Sequence, residues 1–181
     1  MQTYVVDNFC RRIDLDHPED GKEFEMHFYK AFNKLKEQKF LRSIWSWNDE
    51  KQTIRFKIPG EHITMYSYKN DKAQSAIYVG GLYEHSYCQF DKFGFQPPVT
   101  AEKYGEIITL FSTIDFDGNL YNLERVFLKE YCFKQAREQG CRFLLATCTP
   151  QLLRLYLKWN FKVIETRHLD GATRHLIRID L

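Results

Sequence analysis

The stretch Cys141–Lys162, CRFLLATCTPQLLRLYLKWNFK, limits the chain more than any other. Arg142–Ala146 is a short run, too brief for a helix and apolar on both faces, which predicts a buried strand. Thr149 offers a hydroxyl as N-cap. Pro150 falls at the first helical position, where its missing N–H costs nothing. Leu152, Leu153, Leu155, Tyr156 and Trp159 follow at helical spacing. Asn160 stands where the helix should stop, and Asn is second only to Gly in tolerating the left-handed backbone there. Phe161–Thr166 predicts a further strand. The segment therefore reads as strand, short capped helix, strand, with a tyrosine late in the helix.

The rest of the chain supplies a mixed set of elements. A short strand is expected at Thr3–Val6. Asp20 and Glu23 form a capping pair for a helix running to about Lys39, with Phe24, Phe28, Ala31, Phe32 and Leu35 on one face. That stripe predicts a core-facing surface. Antiparallel strands follow as two hairpins. Ser43–Trp47 and Gln52–Ile58 flank the polar turn Asn48–Lys51; Ile63–Tyr68 and Ser75–Gly80 flank Lys69–Lys72. Gly80-Gly81 is consistent with a bulge that bends a strand, or with plain punctuation at a strand end. Tyr83–Thr100 is a long aromatic loop with about one helical turn, and long loops in compact domains often carry function.

Glu106–Ser112 (EIITLFS) predicts a strand. A helix opens at Leu120 or Asn122 and stops at Gly140. A strand, a helix and a second strand in that order should give a parallel pair, so Glu106–Ser112 and Arg142–Ala146 are expected side by side. Asp170-Gly171 signals a tight type I′ turn between Phe161–His168 and Thr173–Ile179.

Composition narrows the function classes. The chain has 181 residues, enough for one domain with a real core, so 1–181 is expected to be a single unit. Its net charge is only +2, with bases and acids interspersed, which argues against nucleic acid as a partner. No apolar run reaches membrane length, so no membrane span is expected, and Met1–Cys10 lacks a signal-peptide core. The five cysteines are odd in number and show no CxxC pair. Neither a disulfide framework nor a metal site is indicated, and a reduced, cytoplasmic protein is expected. His62, His85, His168 and His175 are scattered without metal spacing.

The segment Leu155-Tyr156-Leu157-Lys158-Trp159-Asn160-Phe161 resembles the end of the last helix in the GNAT superfamily of N-acyltransferases. There Leu-Tyr is followed a few residues later by Gly-Phe; Asn160 replaces the glycine. The resemblance covers Glu106 to Leu181, and the order of elements agrees with it. It implies an α/β fold: a mixed, mostly antiparallel sheet with a central parallel strand pair and helices on both faces. It also implies a transferase that moves an acyl group from a thioester donor to a small-molecule primary amine, and it leaves room for a homodimer.

Acyl transfer to an amine requires deprotonation of the amine, polarisation of the thioester carbonyl and protonation of the leaving thiolate. By resemblance, Tyr156 is the acid for the departing sulfur. Glu106, at the head of its strand, is a candidate base, although a strand-end carboxylate is ordinarily solvated. Glu84 and His85 are a second base candidate. The donor's arm is expected against Thr109, Leu110, Phe111 and Ser112, and its far end against Gly118, Asn119, Leu120 and Arg125.

One departure qualifies the donor. The superfamily's phosphate loop is glycine-rich, because bare N–H groups and a helix terminus hold the diphosphate. Here the loop is Asp115-Phe116-Asp117-Gly118-Asn119-Leu120. Its two carboxylates oppose a diphosphate by about 1 kcal/mol each. The donor is therefore either acyl-CoA or an acyl carrier protein thioester. The acyl-homoserine-lactone synthases and long-chain N-acyl amino acid synthases, which the chain is faintly similar to, also depart from that loop. They usually follow the glutamate with Ser-Arg, where this chain has Ile107-Ile108. The alternative is a catalytically degenerate domain of the same fold that binds a ligand or protein. A nucleophilic Cys148 has no argued partner, and a small buried apolar role suits it better.

Overall fold

The computed structural model describes residues 10–35, 38–69, 76–113 and 128–181. Its elements are β1 (Cys10–Ile13), α1 (Pro18–Phe32), α2 (Gln38–Ile44), β2 (Ser46–Asn48), β3 (Thr53–Arg55), β4 (Thr64–Lys69), β5 (Ala76–Leu82) and β6 (Tyr104–Ser112). A π-helical turn, Leu128–Phe133, then runs into α3 (Lys134–Glu138). β7 (Phe143–Cys148), α4 (Pro150–Lys158), β8 (Lys162–Leu169) and β9 (Ala172–Asp180) close the chain.

Seven strands form one sheet in the order β1-β4-β5-β6-β7-β9-β8. Every neighbouring pair is antiparallel except β6 and β7, which are parallel as expected. Side chains alternate across the sheet. Phe143 and Leu145 of β7 pack with Phe24 and Phe28 of α1, while Leu144 and Ala146 pack with Ala136 of α3 and with Tyr156 and Trp159 at α4. Helices thus cover both faces, and each face buries its own apolar cluster.

The local stop signals behave as their chemistry requires. Asn160 takes φ 69°, and Phe161 N–H returns to the Tyr156 carbonyl at 3.1 Å, closing α4. Gly140, at φ 79°, ends α3 in the same way, with Cys141 N–H on Ala136 O at 2.9 Å. Asp170 and Gly171 both have positive φ, the pattern of a type I′ turn. Thr149 holds the N-cap position ahead of Pro150, but its side chain makes no capping bond.

Other expectations need correction. The helix expected from Asp20 to Lys39 is two helices, because α1 ends at Phe32 and α2 begins at Gln38. Asp20 and Glu23 do not cap α1: Pro18 starts it, Asp20 binds Arg11 at 2.6 Å, and Glu23 binds Lys69 at 2.5 Å. Ser43 and Ile44 belong to α2, whose Leu41 and Ile44 are buried, so that strand begins only at Ser46. β2 and β3 pair in a small sheet of their own. β6 opens at Tyr104, not at Glu106. The strand at Thr3–Val6, most of the Lys69–Lys72 turn, and the helix start at Leu120 or Asn122 lie outside the described residues. Among the described residues, no helix is long and apolar enough to cross a membrane.

Candidate active site

The site begins with a register change. Gly80 pairs with Thr109, but Gly81 pairs with Ile107, which leaves Ile108 as an extra residue on β6. Such a bulge bends its strand and increases the local twist. The glycines opposite it fit their surroundings. A Cβ on Gly80 would lie 2.6 Å from Met65 Cε, and one on Gly81 would lie 2.5 Å from the Tyr83 hydroxyl.

On its other side β6 pairs with β7 at Tyr104, Gly105, Glu106 and Ile107, the last opposite Ala146. Among the described residues that pairing stops there, although β6 continues to Ser112 and β7 to Cys148. The parallel strands therefore part at the bulge. Beyond Ile107, β6 keeps its ladder with β5 but has no registered partner on β7 among the described residues.

A cleft of about 810 Å³ opens at the parting. Thr109, Leu110, Phe111 and Ser112 line it. Thr147–Leu152, at the entry to α4, and Tyr156 form the neighbouring wall. Tyr156 is only 4% exposed and meets Trp159 and Phe161 edge-on at 5.4 and 5.1 Å. Those rings and the closed C-terminus of α4 fix where its phenol sits.

Glu106 lines the same cleft but is not solvated; it is 2% exposed. The loop after β5 folds over it. Backbone N–H groups of Gln89 and Phe90 both donate to Oε2, the latter at 3.3 Å. Burial pushes its pKa up to about 8, and the two N–H donors oppose part of that rise. A carboxylate in this position can take up a proton near neutral pH.

Glu84 and His85 stand elsewhere and are not among the cleft-lining residues. Glu84 faces solvent, 3.6 Å from His62 Nδ1. His85 Nε2 accepts the Tyr104 backbone N–H at 2.9 Å, and its ring stacks on Tyr104 at 3.9 Å. That ring holds the loop onto the head of β6. The aromatic loop itself is two 3₁₀ turns, His85–Tyr87 and Phe90–Phe93, with Phe90, Phe93 and Phe95 buried. Gly118, Asn119, Leu120 and Arg125 lie outside the described residues. Residues of the cleft that local sequence signals did not point to are Trp45, Gln89, Phe93 and Arg174.

No family model matches the sequence, and no curated protein matches it. Solved structures do. TofI, in a ternary complex with an inhibitor and MTA, superposes with a TM-score of 0.66 at 12% identity, over 95% of this chain and 91% of that one. The chain has the GNAT fold. FeeM, an N-acyl amino acid synthase from uncultured soil microbes, gives 0.57 at 11% identity over 94% of both chains. NAA60 of Arabidopsis thaliana, in complex with acetyl-CoA, gives 0.55 at 12% identity over 95% of this chain and 97% of that one. In this GNAT fold the central parallel pair is β6–β7, and the short helix carrying the tyrosine is α4.

Proposed function

We propose that the protein is an N-acyltransferase that moves an acyl group from a thioester donor to a primary amine. The observation that carries this reading is the parting of β6 and β7 beside one cleft that both Glu106 and Tyr156 line. The donor's extended arm lies along Thr109–Ser112, where β6 main-chain groups are free of β7. Glu106, directly or through water, takes a proton from the acceptor ammonium. The amine then attacks the thioester carbonyl, the C–S bond breaks, Tyr156 gives its proton to the thiolate, and the second proton that the new amide nitrogen sheds returns to the phenolate, directly or through water. A tyrosine hydroxyl can serve as the general acid for that step.

Glu106 is preferred over the Glu84–His85 pair as base because it faces the cleft. The donor is acyl-CoA or an acyl carrier protein thioester. The acetyl-CoA bound to NAA60 supports the first, and the acidic loop at Asp115–Asn119 favours the second. In this reading Gly118, Asn119, Leu120 and Arg125 meet the far end of the donor.

Thermal unfolding with acetyl and long-chain acyl thioesters, on coenzyme A and on a carrier protein, tests the proposal. A donor at 100 times its Kd should stabilise the folded chain by about 2.7 kcal/mol. Amide formation with an added amine should follow. No shift with any donor would leave a binding module of the same fold as the better reading.

A further inference from the structure

β8 is the outermost strand at one side of the sheet, and among the described residues it pairs only with β9. Its other edge has no ladder partner among them. A bare edge offers main-chain N–H and C=O groups to another chain, and lysines, prolines or bulges ordinarily guard against that pairing. In β8 such guards stand only near the start. Its one lysine, Lys162, is paired with Asp180 of β9 at 3.6 Å, and its bulge is at Ile164. Glu165–Leu169 runs in regular register, with no lysine or proline.

The same segment shows apolar surface. Val163 and Ile164 are 42% and 51% exposed, and Leu157, in the last turn of α4, is 47% exposed. They are three of the six large apolar side chains exposed among the described residues, and all three stand close together in sequence. Apolar groups gathered in this way mark a contact surface.

The charges beside them indicate what covers it. Glu165 and Arg167 flank Thr166 on one face of β8, opposite Leu176 and Arg174 of β9, and form an ion pair of 2.6 Å. A second β8 laid antiparallel on this edge, with Thr166 opposite Thr166, sets Glu165 of each strand opposite Arg167 of the other. Opposite charges so placed are favourable, and the segment is thus its own complement about Thr166. In that register Val163 and Ile164 face Leu169 and His168 of the second strand.

We infer that the free edge of β8 is a self-association surface, on which two copies of this chain pair their β8 strands antiparallel about a two-fold axis at Thr166. The two seven-stranded sheets become one. A contact of this kind uses the same patch on both copies and closes on itself, so assembly stops at the dimer. With only Val163–Leu169 contributed by each copy the interface is small, and a weak dimer, with a Kd on the order of micromolar or above, is expected. The inference stands apart from the acyl-transfer reading, and its test uses neither donor nor acceptor.

Analytical ultracentrifugation of the full chain, from about 1 to about 200 µM, should show a mean mass that rises toward twice that of the monomer. Glu165→Arg and Arg167→Glu should each weaken association by about tenfold or more, because each sets like charges opposite one another across the two-fold axis. An equimolar mixture of the two variants should associate again, since each copy then offers the other the opposite sign. A role of the Glu165–Arg167 ion pair within one copy cannot produce that rescue. Thr166→Cys should give a disulfide-linked dimer on mild oxidation, because directly opposed residues have Cα atoms about 4.5–5.5 Å apart, within disulfide reach. Val99→Cys, fully exposed and outside the edge, should stay at the wild-type background. A monomer at every concentration overturns the inference and leaves the edge to another occupant. A dimer that both charge variants leave intact overturns it as well. Ile164→Lys, at an exposed position, replaces a charge variant that circular dichroism shows to be unfolded, with the same weakening expected.

Discussion

Ile107 pairs with Ala146, and one residue further on Ile108 is the bulge at which β6 leaves β7. The opening of the cleft and the irregularity of the β5–β6 ladder are thus one event. The small residues opposite the bulge should be sensitive for that reason. Gly81→Ala puts a methyl group 2.5 Å from the Tyr83 hydroxyl. Thermal denaturation should show a loss of about 1–3 kcal/mol, as for overpacking elsewhere. Tyr83→Phe removes the nearest of the atoms in the way, leaving Cζ at 2.7 Å, and also the hydrogen bond to Cys132 O, made at 3.2 Å. The double variant should therefore be less destabilised than the sum of the two single changes.

Tyr156→Phe leaves the ring contacts with Trp159 and Phe161 in place and removes only the hydroxyl. Turnover should fall by about 10²- to 10⁴-fold if that proton assists the leaving sulfur. Donor affinity, read by thermal shift, should change little. Unaltered turnover in a steady-state assay removes Tyr156 from the reaction.

Glu106 should impose two pH dependences. Its folded pKa of about 8 lies above the ordinary carboxylate value of 4.5, so the folded state favours the protonated form. This contribution to stability is greatest below about pH 4.5 and is lost as pH rises to about 8, a change on the order of a few kcal/mol. Glu106→Gln, which keeps an oxygen for the Gln89 and Phe90 N–H groups, should flatten that part of the stability profile in denaturant titrations. Activity should run the other way. The acid limb of kcat/KM should rise with an apparent pKa near 8, and Glu106→Gln should remove about 10²- to 10⁴-fold of the rate.

Asn160 holds a left-handed backbone at the end of α4. Asn160→Gly should be neutral or slightly stabilising. Asn160→Ala should cost about 1 kcal/mol, because an ordinary Cβ is crowded in that conformation. Chemical denaturation of the two variants, with the slope of unfolding unchanged, checks both.

The parts of the fold that could be read from sequence are those written in backbone chemistry. Thr149-Pro150, Asn160, Gly140 and Asp170-Gly171 each act within a few residues, and each marks its boundary correctly. The break between α1 and α2 escaped because the apolar spacing Phe28, Ala31, Phe32, Leu35 runs past the point where α1 ends. The α2 segment escaped for another reason: Leu41 and Ile44 are buried by packing that their β-tolerant neighbours do not announce.

At the candidate site, the β6 strand and Tyr156 were legible from the strand–helix–strand order. The burial of Glu106 was not, because the residues that cover it come from the loop at Gln89–Phe90, far along the chain. Trp45, Gln89 and Arg174 come from three separate segments, and no local periodicity links them.

The bulge at Ile108 is set by its partners on β5, and neither Gly80 nor Gly81 is among the residues that line the cleft. The width of the cleft beside β6 is therefore governed from a strand whose glycines do not line it. Under the proposed acyl transfer, substitutions at Gly80 and Gly81 should retune which acyl chains are admitted while every residue that lines the cleft keeps its identity.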